Sequence, residues 1–257
     1  MSKSQDSKEW WHPKKLSAAE QEISKRDSPD VDNDFGSYKV MRETGSVRDS
    51  KILSHNDINP DYRGRYLKKL LGKENPSQIL DVGCGLGFTT AAIKKYFPKA
   101  EVTGVDISSD AISYATENFA DCKFEKTILN PDLEVRDRQY DLICAFEFYP
   151  FTRTSELEVH KEWLEFFLKQ LEADGQLVIW QRWNSSSSIA SSVPRLKDCY
   201  QNLNFIEKRL PNRLVGYFIY NRYFSVAISF IIRSLLSVGR KSIADNRALI
   251  ISRKKNF

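Results

Sequence analysis

The segment Ile79-Leu80-Asp81-Val82-Gly83-Cys84-Gly85-Leu86-Gly87 constrains this chain more than any other. A short apolar run, Gln78 to Val82, enters a turn with glycine at every second position. Helically spaced apolar residues follow from Phe88 to Phe97 and stop at Pro98. Glycine accepts φ values that side chains refuse and lets a ligand approach bare backbone. The first N–H groups of the following helix then face whatever sits there. A chain with this strand–turn–helix unit is expected to bind something at the turn.

The same alternation continues on both sides. Tyr62, Tyr66, Leu67, Leu70 and Leu71 predict a helix within 57–72, stopped by Gly72. Glu101 to Val105 reads as a strand ending in Asp106. A helix over Ser109 to Phe119 follows, with Ser108 or Ser109 as its N-cap. Lys123 to Leu129 reads as a strand halted by Asn130-Pro131, and Tyr140 to Phe146 as a buried strand. Ser155-Glu156-Leu157-Glu158 is a capping box opening a helix to about Leu171. Gly175 to Gln181 reads as a fifth strand. The six serines in 184–192 read as a loop, with Pro194 at the first position of the next helix. Phe205 to Leu210 and Arg247 to Arg253 are the last strand candidates. Alternating β and α units predict a Rossmann-like α/β fold, a mostly parallel sheet with helices on both faces. Ligands in such folds bind at the carboxyl ends of the strands. Those ends are the Gly83 turn, Asp106, Ile128–Asp132, Glu147–Thr152 and Gln181–Ser188.

Composition bounds the rest. The chain has 257 residues, 41% of them hydrophobic. That suits one large domain or two small ones and excludes a disordered or collagenous chain. Three His and four scattered Cys without a C-x-x-C pair exclude a zinc finger or His-rich centre, so no metal is expected. Met1 to Glu9 is polar, so a cytoplasmic setting is the expectation. The longest apolar stretch, Leu214 to Val238, is interrupted by Arg222 and Arg233. Residues 1–56 read as a charged N-terminal arm, and 57–257 as the binding domain, with a helical, apolar and basic insertion at about 214–243. From Phe205 onward, eleven Lys and Arg face Glu207 and Asp245, a local charge of +9. The net charge of +5 therefore leaves −4 for the remainder. Such asymmetry suits an anionic partner or a solvated basic face.

Three ligand classes compete for the turn. A Walker A loop needs Lys-Ser/Thr after its last glycine, and none follows Gly87. A dinucleotide fingerprint needs G-x-G-x-x-G, whereas the spacing here is G-x-G-x-G with Phe88 in the third glycine's place. The third class is a nucleoside without phosphates. Asp81 favours it, because a carboxylate repels pyrophosphate but suits a cationic amino-acid group. Asp106, 19 residues after Gly87, can accept hydrogen bonds from a ribose diol.

Taken in order, these landmarks resemble the class I S-adenosylmethionine-dependent methyltransferases. Asp81, Gly83, Gly85 and Gly87 match that family's D-x-G-x-G-x-G motif, and Asp106 its acid after strand two. Tyr140-Asp141-Leu142-Ile143 resembles its strand-four entry. Leu171 to Leu177 resembles its L-x-x-G-G turn, with Asp174 in place of the first glycine. The resemblance covers about residues 60–210 and the last strand. It implies seven strands with the last antiparallel and S-adenosyl-L-methionine as cofactor. The implied cofactor residues are Asp81, Gly83, Cys84, Gly85, Gly87, Asp106, Ile107, Ile128, Leu129 and Glu147. The family's usual acid after strand three is replaced by Thr127-Ile128-Leu129-Asn130, so backbone groups, Asn130 or Asp132 would take its place.

The activated methyl needs an aligned acceptor, and a base only for a poorly acidic hydroxyl or protonated amine. His55, Glu147 and His160 are the candidate bases, His160 on a helix surface by default. Tyr149, Trp180, Arg182 and Trp183 are expected to line the pocket. The leading acceptor is a small molecule: a sugar, lipid-linked glycan or specialised-metabolite hydroxyl or carboxylate. The alternatives are an RNA methyltransferase using the basic C-terminal region and a non-catalytic cofactor-binding scaffold. Glu147-Phe148-Tyr149-Pro150 departs from the Asn/Asp-Pro-Pro-Tyr/Phe run of base amino-group methylation, which disfavours nucleic acid. Residues 214–241 are expected to serve as a pocket lid, a homodimer interface or a peripheral contact with an anionic membrane.

Overall fold

The computed structural model describes residues 60–131, 139–152, 154–182, 188–210, 231 and 246–254. The N-terminal arm and the 214–243 insertion, apart from Ile231, lie outside them. The chain runs α1 (Pro60–Leu71), β1 (Gln78–Val82), α2 (Phe88–Tyr96), β2 (Glu101–Asp106), α3 (Ser109–Asn118), β3 (Lys123–Lys126) and β4 (Tyr140–Phe146). It continues with α4 (Tyr149–Thr152), α5 (Leu157–Gln170), β5 (Leu171–Arg182), α6 (Ile189–Cys199), β6 (Leu203–Arg209) and β7 (Asn246–Arg253).

Seven strands form one sheet in the order β3-β2-β1-β4-β5-β7-β6. The first five pair in parallel, and β7 lies antiparallel between β5 and β6. The Rossmann-like sheet with an antiparallel last strand is therefore as the sequence implied. The chain leaves β1 toward β2 and β3, then returns to β4 on the other side. The crevice beyond β1 and β4 is thus the topological switch point, where such folds bind ligands.

Near-continuous apolar strands are required because both faces are covered. One face buries Ile79, Leu142, Cys144, Val178, Trp180 and Ile250 against Tyr62, Tyr66, Leu67, Ile93 and Phe97 of the α1–α2 side. The other buries Leu80, Val82, Ile143, Leu177 and Ile179 beneath Trp163, Phe167, Val193 and Leu196 of α5 and α6. Alternate residues of one strand therefore feed opposite cores. Gly64 sets the distance between α1 and α2, since a Cβ there would lie 2.4 Å from the Ala92 carbonyl oxygen.

Several boundaries differ from the sequence reading. α6 begins at Ile189, with Ser188 as N-cap accepting from the Ala190 N–H at 3.3 Å, so Pro194 lies inside the helix. The serine run supplied that cap, and the helix tolerates a lost backbone bond at Pro194 because its apolar face is packed. At α5 the N-cap is Glu156 without a side-chain bond. The expected capping box does not form; instead the Thr154 hydroxyl accepts from the Glu156 N–H at 3.1 Å. β3 ends at Lys126, and β5 starts earlier, at Leu171. No described helix is long and apolar enough to cross a membrane.

At the amino end of the sheet, one Asp141 oxygen ties β4 to the entry of β1. It accepts from the Ser77 N–H at 2.7 Å, the Ser77 hydroxyl at 2.6 Å and the Gln78 N–H at 2.9 Å. Partial burial pushes its carboxyl up, but these three donors outweigh that and leave it below the usual carboxylate range. A depressed carboxyl contributes stability above its unfolded value, lost as pH falls through the folded one. Asp141→Asn is therefore expected to lower the melting temperature at neutral pH. The deficit should shrink as pH drops below about 4, read by thermal denaturation across pH.

Candidate functional site

The glycine turn is stapled to the end of β2. The Gly83 and Cys84 N–H groups both donate to the Val105 carbonyl, at 2.9 and 3.0 Å. The Gly85 N–H donates to Asp106 Oδ2 at 2.8 Å, and the Ser108 N–H to Oδ1 at 2.9 Å. Gly83, Gly85 and Gly87 have φ of 68°, 53° and 81°. Two of these glycines serve different ends. Gly83 is exposed, and a Cβ there would meet only the Phe148 ring, at 3.1 Å, so its backbone is open to a ligand. At Gly87 a Cβ would lie 2.8 Å from Ala115 Cβ and 2.9 Å from the Phe124 ring. Packing of α3 and β3 thus leaves no room there for a side chain.

Asp106 is buried, and desolvation raises its carboxyl against the pull of the Ser108, Gly85 and Ile107 N–H groups. A carboxylate offers about four acceptor positions, so Asp106 has capacity for a hydroxyl donor beyond these backbone N–H groups. α2 begins at Gly87 without a side-chain cap and without an acid in its first turn. Its first N–H groups present the positive end of the helix dipole. Asp81 is buried under the turn and accepts from the Thr90 hydroxyl at 2.7 Å. Burial first, then the charges of Asp106 and Asp81, pushes the Cys84 thiol well up, so this cysteine is a protonated wall residue.

β4 ends against this turn. Glu147 has φ 54°, a left-handed conformation costly for a side chain, and its N–H donates to the Trp180 carbonyl at 2.8 Å. The next residue, Phe148, is seated on Trp163, Phe167 and Phe151 with ring centroids 5.2, 5.9 and 6.2 Å away. This aromatic seat holds the loop in which Glu147 stands. Beyond β2, Ile107 is half-buried and Ile128 is exposed. Leu129 packs against the core on the α5–α6 face.

The other candidates are placed as follows. His160 is buried, not on the helix surface. Its Nδ1 is 2.8 Å from the Ser192 hydroxyl, and desolvation brings its imidazolium down to about 4. Trp180 is a core residue, stacked edge-on with Tyr62 and Phe146 at 5.6 and 5.4 Å. His55, Asp132, Trp183 and the side chains of Tyr149 and Arg182 lie outside the described residues.

Two residues near these strand ends, one of them on α1, escaped the sequence reading. Arg63 is 8% exposed, donates to the Thr89 hydroxyl at 3.0 Å and lies over the Phe146 ring at 6.0 Å. Its signal was available: it shares the helical stripe of Tyr66, Leu67 and Leu70, where a charge is out of place. Gln181 is fully buried at the end of β5, with neither amide atom hydrogen-bonded. No metal-binding cluster occurs among the described residues.

Residues 79–167 match a family model described as a methyltransferase domain. That match covers about a third of the chain and includes the glycine turn, Asp106 and β4. Over 110 residues the chain is 31% identical to a malonyl-[acyl-carrier protein] O-methyltransferase of Acetivibrio thermocellus, covering 38% of this chain and 39% of that protein. The chain thus spans well under half the length of that curated relative. Its fold is similar to that of the N-methyltransferase NodS from Bradyrhizobium japonicum, solved in complex with S-adenosyl-l-homocysteine. That match has TM-score 0.54 and 14% identity, and covers 85% of this chain and 98% of that one. The plantazolicin methyltransferase BpumL is similar too, at TM-score 0.52 and 17% identity over 91% of this chain and 98% of that one.

The left-handed backbone at Glu147 gives a stability test separate from function. Glu147→Gly is expected to raise the urea midpoint, since glycine removes a local cost of about 1–2 kcal/mol. Glu147→Gln should leave the midpoint near the parent's. A lower midpoint for the glycine variant would show that the Glu147 side chain contributes more to stability than its backbone costs.

Proposed function

We propose that this chain transfers a methyl group from S-adenosylmethionine to an oxygen of a small molecule, a hydroxyl or a carboxylate. The observation that carries the reading is Asp106. It is a buried carboxylate with spare acceptor capacity, fixed by the Gly85 and Ser108 N–H groups at the rim of an open glycine turn. A ribose diol needs such a pair of oxygens, and Gly83 leaves the adjoining backbone clear for the rest of the ligand.

The residues present fit the cofactor at each part of its length. Asp106 receives the ribose hydroxyls, Ile107 and Ile128 offer apolar surface beside it, and Gly83 gives close backbone approach. Asp81 beneath the turn supplies negative potential suited to a cationic amino group. When bound, S-adenosylmethionine supplies a methyl already activated by its sulfonium. What the protein adds is alignment of the acceptor and exclusion of water, worth several kcal/mol.

The acceptor side is formed by the carboxyl ends of β4 and β5. A carboxylate acceptor needs no base, whereas a hydroxyl does. Among the described candidates Glu147 stands at that end of β4. The His160 imidazole is buried against Ser192 and too weakly basic near neutral pH to compete. An oxygen acceptor is in keeping with the malonyl-[acyl-carrier protein] O-methyltransferase similarity.

Two measurements test this. Asp106→Ala is expected to abolish calorimetrically detectable binding of S-adenosylmethionine, through loss of both the diol acceptor and the Gly85 staple. Unchanged affinity would remove the cofactor assignment. Incubation of the full chain with methyl-tritiated S-adenosylmethionine and a small-molecule extract should put label into the low-mass fraction. Label appearing only in added RNA would move the reading to a nucleic-acid acceptor.

A further inference from the structure

Gln181 stands one residue before the end of β5, in a row that the fold otherwise fills with hydrocarbon. Leu177 and Ile179 precede it on the same face of the strand, in the core beneath α5 and α6. A third aliphatic residue would simply continue that row. The position holds instead a fully buried carboxamide whose nitrogen and oxygen both lack a hydrogen-bond partner among the described residues. Buried amides are nearly always bonded, and one left open at both ends costs free energy in the free chain. Its neighbours in the sheet are engaged elsewhere. Across β7 the paired Arg247 donates to Glu207 at 3.2 Å, and across β4 the Glu147 N–H is taken by the Trp180 carbonyl at 2.8 Å.

Topology says what the amide faces. β4 and β5 end together on the acceptor side of the crevice, where Gln181 adjoins Glu147. Asp106 ends β2, three strands away and so about 14 Å at the usual strand spacing, which puts the amide beyond the ribose assigned to Asp106. Chemistry narrows the group that fits. A carboxamide presents a donor and an acceptor side by side. A carboxylate only accepts and would leave Oε1 unpaired, whereas an ammonium only donates and would leave Nε2 unpaired. Two neighbouring hydroxyls answer both, one donating to Oε1 while the other accepts from the Nε2 N–H. We infer that Gln181 binds the acceptor and selects a neutral compound with adjacent hydroxyls over a carboxylate. The amide is enclosed in the free chain, so the acceptor parts the packing over it on entry. The hydroxyl that accepts from Nε2 keeps its own proton. That proton passes to the carboxylate of the adjoining Glu147 as the oxygen takes the methyl carbon, and the electron pair of the broken carbon–sulfur bond stays on sulfur. This inference deepens the reading above and rests on it, and its test lets the two fail separately.

The test compares the full-length parent with Gln181→Met, which keeps the side-chain length and removes both polar ends. The quantities read are the thermal midpoint, the calorimetric affinity for S-adenosylhomocysteine, and transfer of tritiated methyl from S-adenosylmethionine into a small-molecule extract. The extract is used either intact or after quenched periodate oxidation, which cleaves adjacent hydroxyls. Periodate is expected to abolish labelling by the parent. Gln181→Met should lower labelling of the intact extract about 30- to 100-fold, while its S-adenosylhomocysteine affinity stays within about threefold of the parent's. Its midpoint should equal or exceed the parent's, because an unbonded amide has been removed. Labelling that survives periodate, or a Gln181→Met chain that labels as the parent does, would overturn the inference. A joint fall in midpoint and S-adenosylhomocysteine affinity would overturn it too and leave Gln181 a structural amide. Should Gln181→Met fail to fold, Gln181→Glu answers the same question, because it keeps the shape and loses the donor. A parent chain that binds no S-adenosylhomocysteine would overturn the methyl-transfer reading itself.

Discussion

One ionic contact to bare backbone organises this fold: the Asp106 carboxylate accepting from the Gly85 N–H. Through it the loop after β1 is shaped by the end of β2, reinforced by the paired donation of Gly83 and Cys84 to Val105. The bond needs φ of 53° at Gly85, so only glycine serves there without strain. It also needs Asp106 to stay buried, which raises its carboxyl and makes each N–H donor matter more. Shape and charge at the site are therefore one property. The backbone that is left open for a ligand is open because the carboxylate that would recognise its ribose also holds the turn.

Much of this was legible in the chain. The alternating elements gave the sheet and both of its covered faces, because buried parallel strands leave runs such as Gln78–Val82 and Tyr140–Phe146. The turn and Asp106 were legible because three glycines at alternate positions weaken a strand or a helix, and chains concentrate them where backbone must turn tightly or meet a ligand. What escaped was set by partners distant in sequence. His160 reads as a surface residue from its charged neighbours Lys161 and Glu162, yet α6 arrives 32 residues later and buries it against Ser192. Ser188 looked like one serine of a loop because a cap differs from a loop residue only in what its hydroxyl meets. The distinct duty of Gly87 was invisible too, since Phe124 and Ala115, which crowd it, lie on other elements.

The two ends of the sheet are built on different terms. At the amino end, Asp141 has three donors on one oxygen and sits below its ordinary range. The contact ties strands together and is satisfied. At the carboxyl end, Arg63 has one neutral hydrogen-bond partner among the described residues, Glu147 holds a left-handed backbone, and the Gln181 amide is unbonded in a buried position. Each carries a cost of order 1 kcal/mol or more, and the whole must be met from a margin of about 5–15 kcal/mol.

Such a concentration of costs has a consequence for how the protein should respond to ligand. A group that is unpaired in the free protein gains its bond only on binding, so the binding free energy includes the relief of that group's desolvation. Preorganisation of this kind makes a site tight without a large interface. It also means that a substitution which stabilises the free chain by removing such an unpaired group removes what a ligand would have satisfied. Stability and recognition are opposed at this edge of the sheet, and the amino-terminal edge, with Asp141 fully engaged, is where the fold can be strengthened without touching the site.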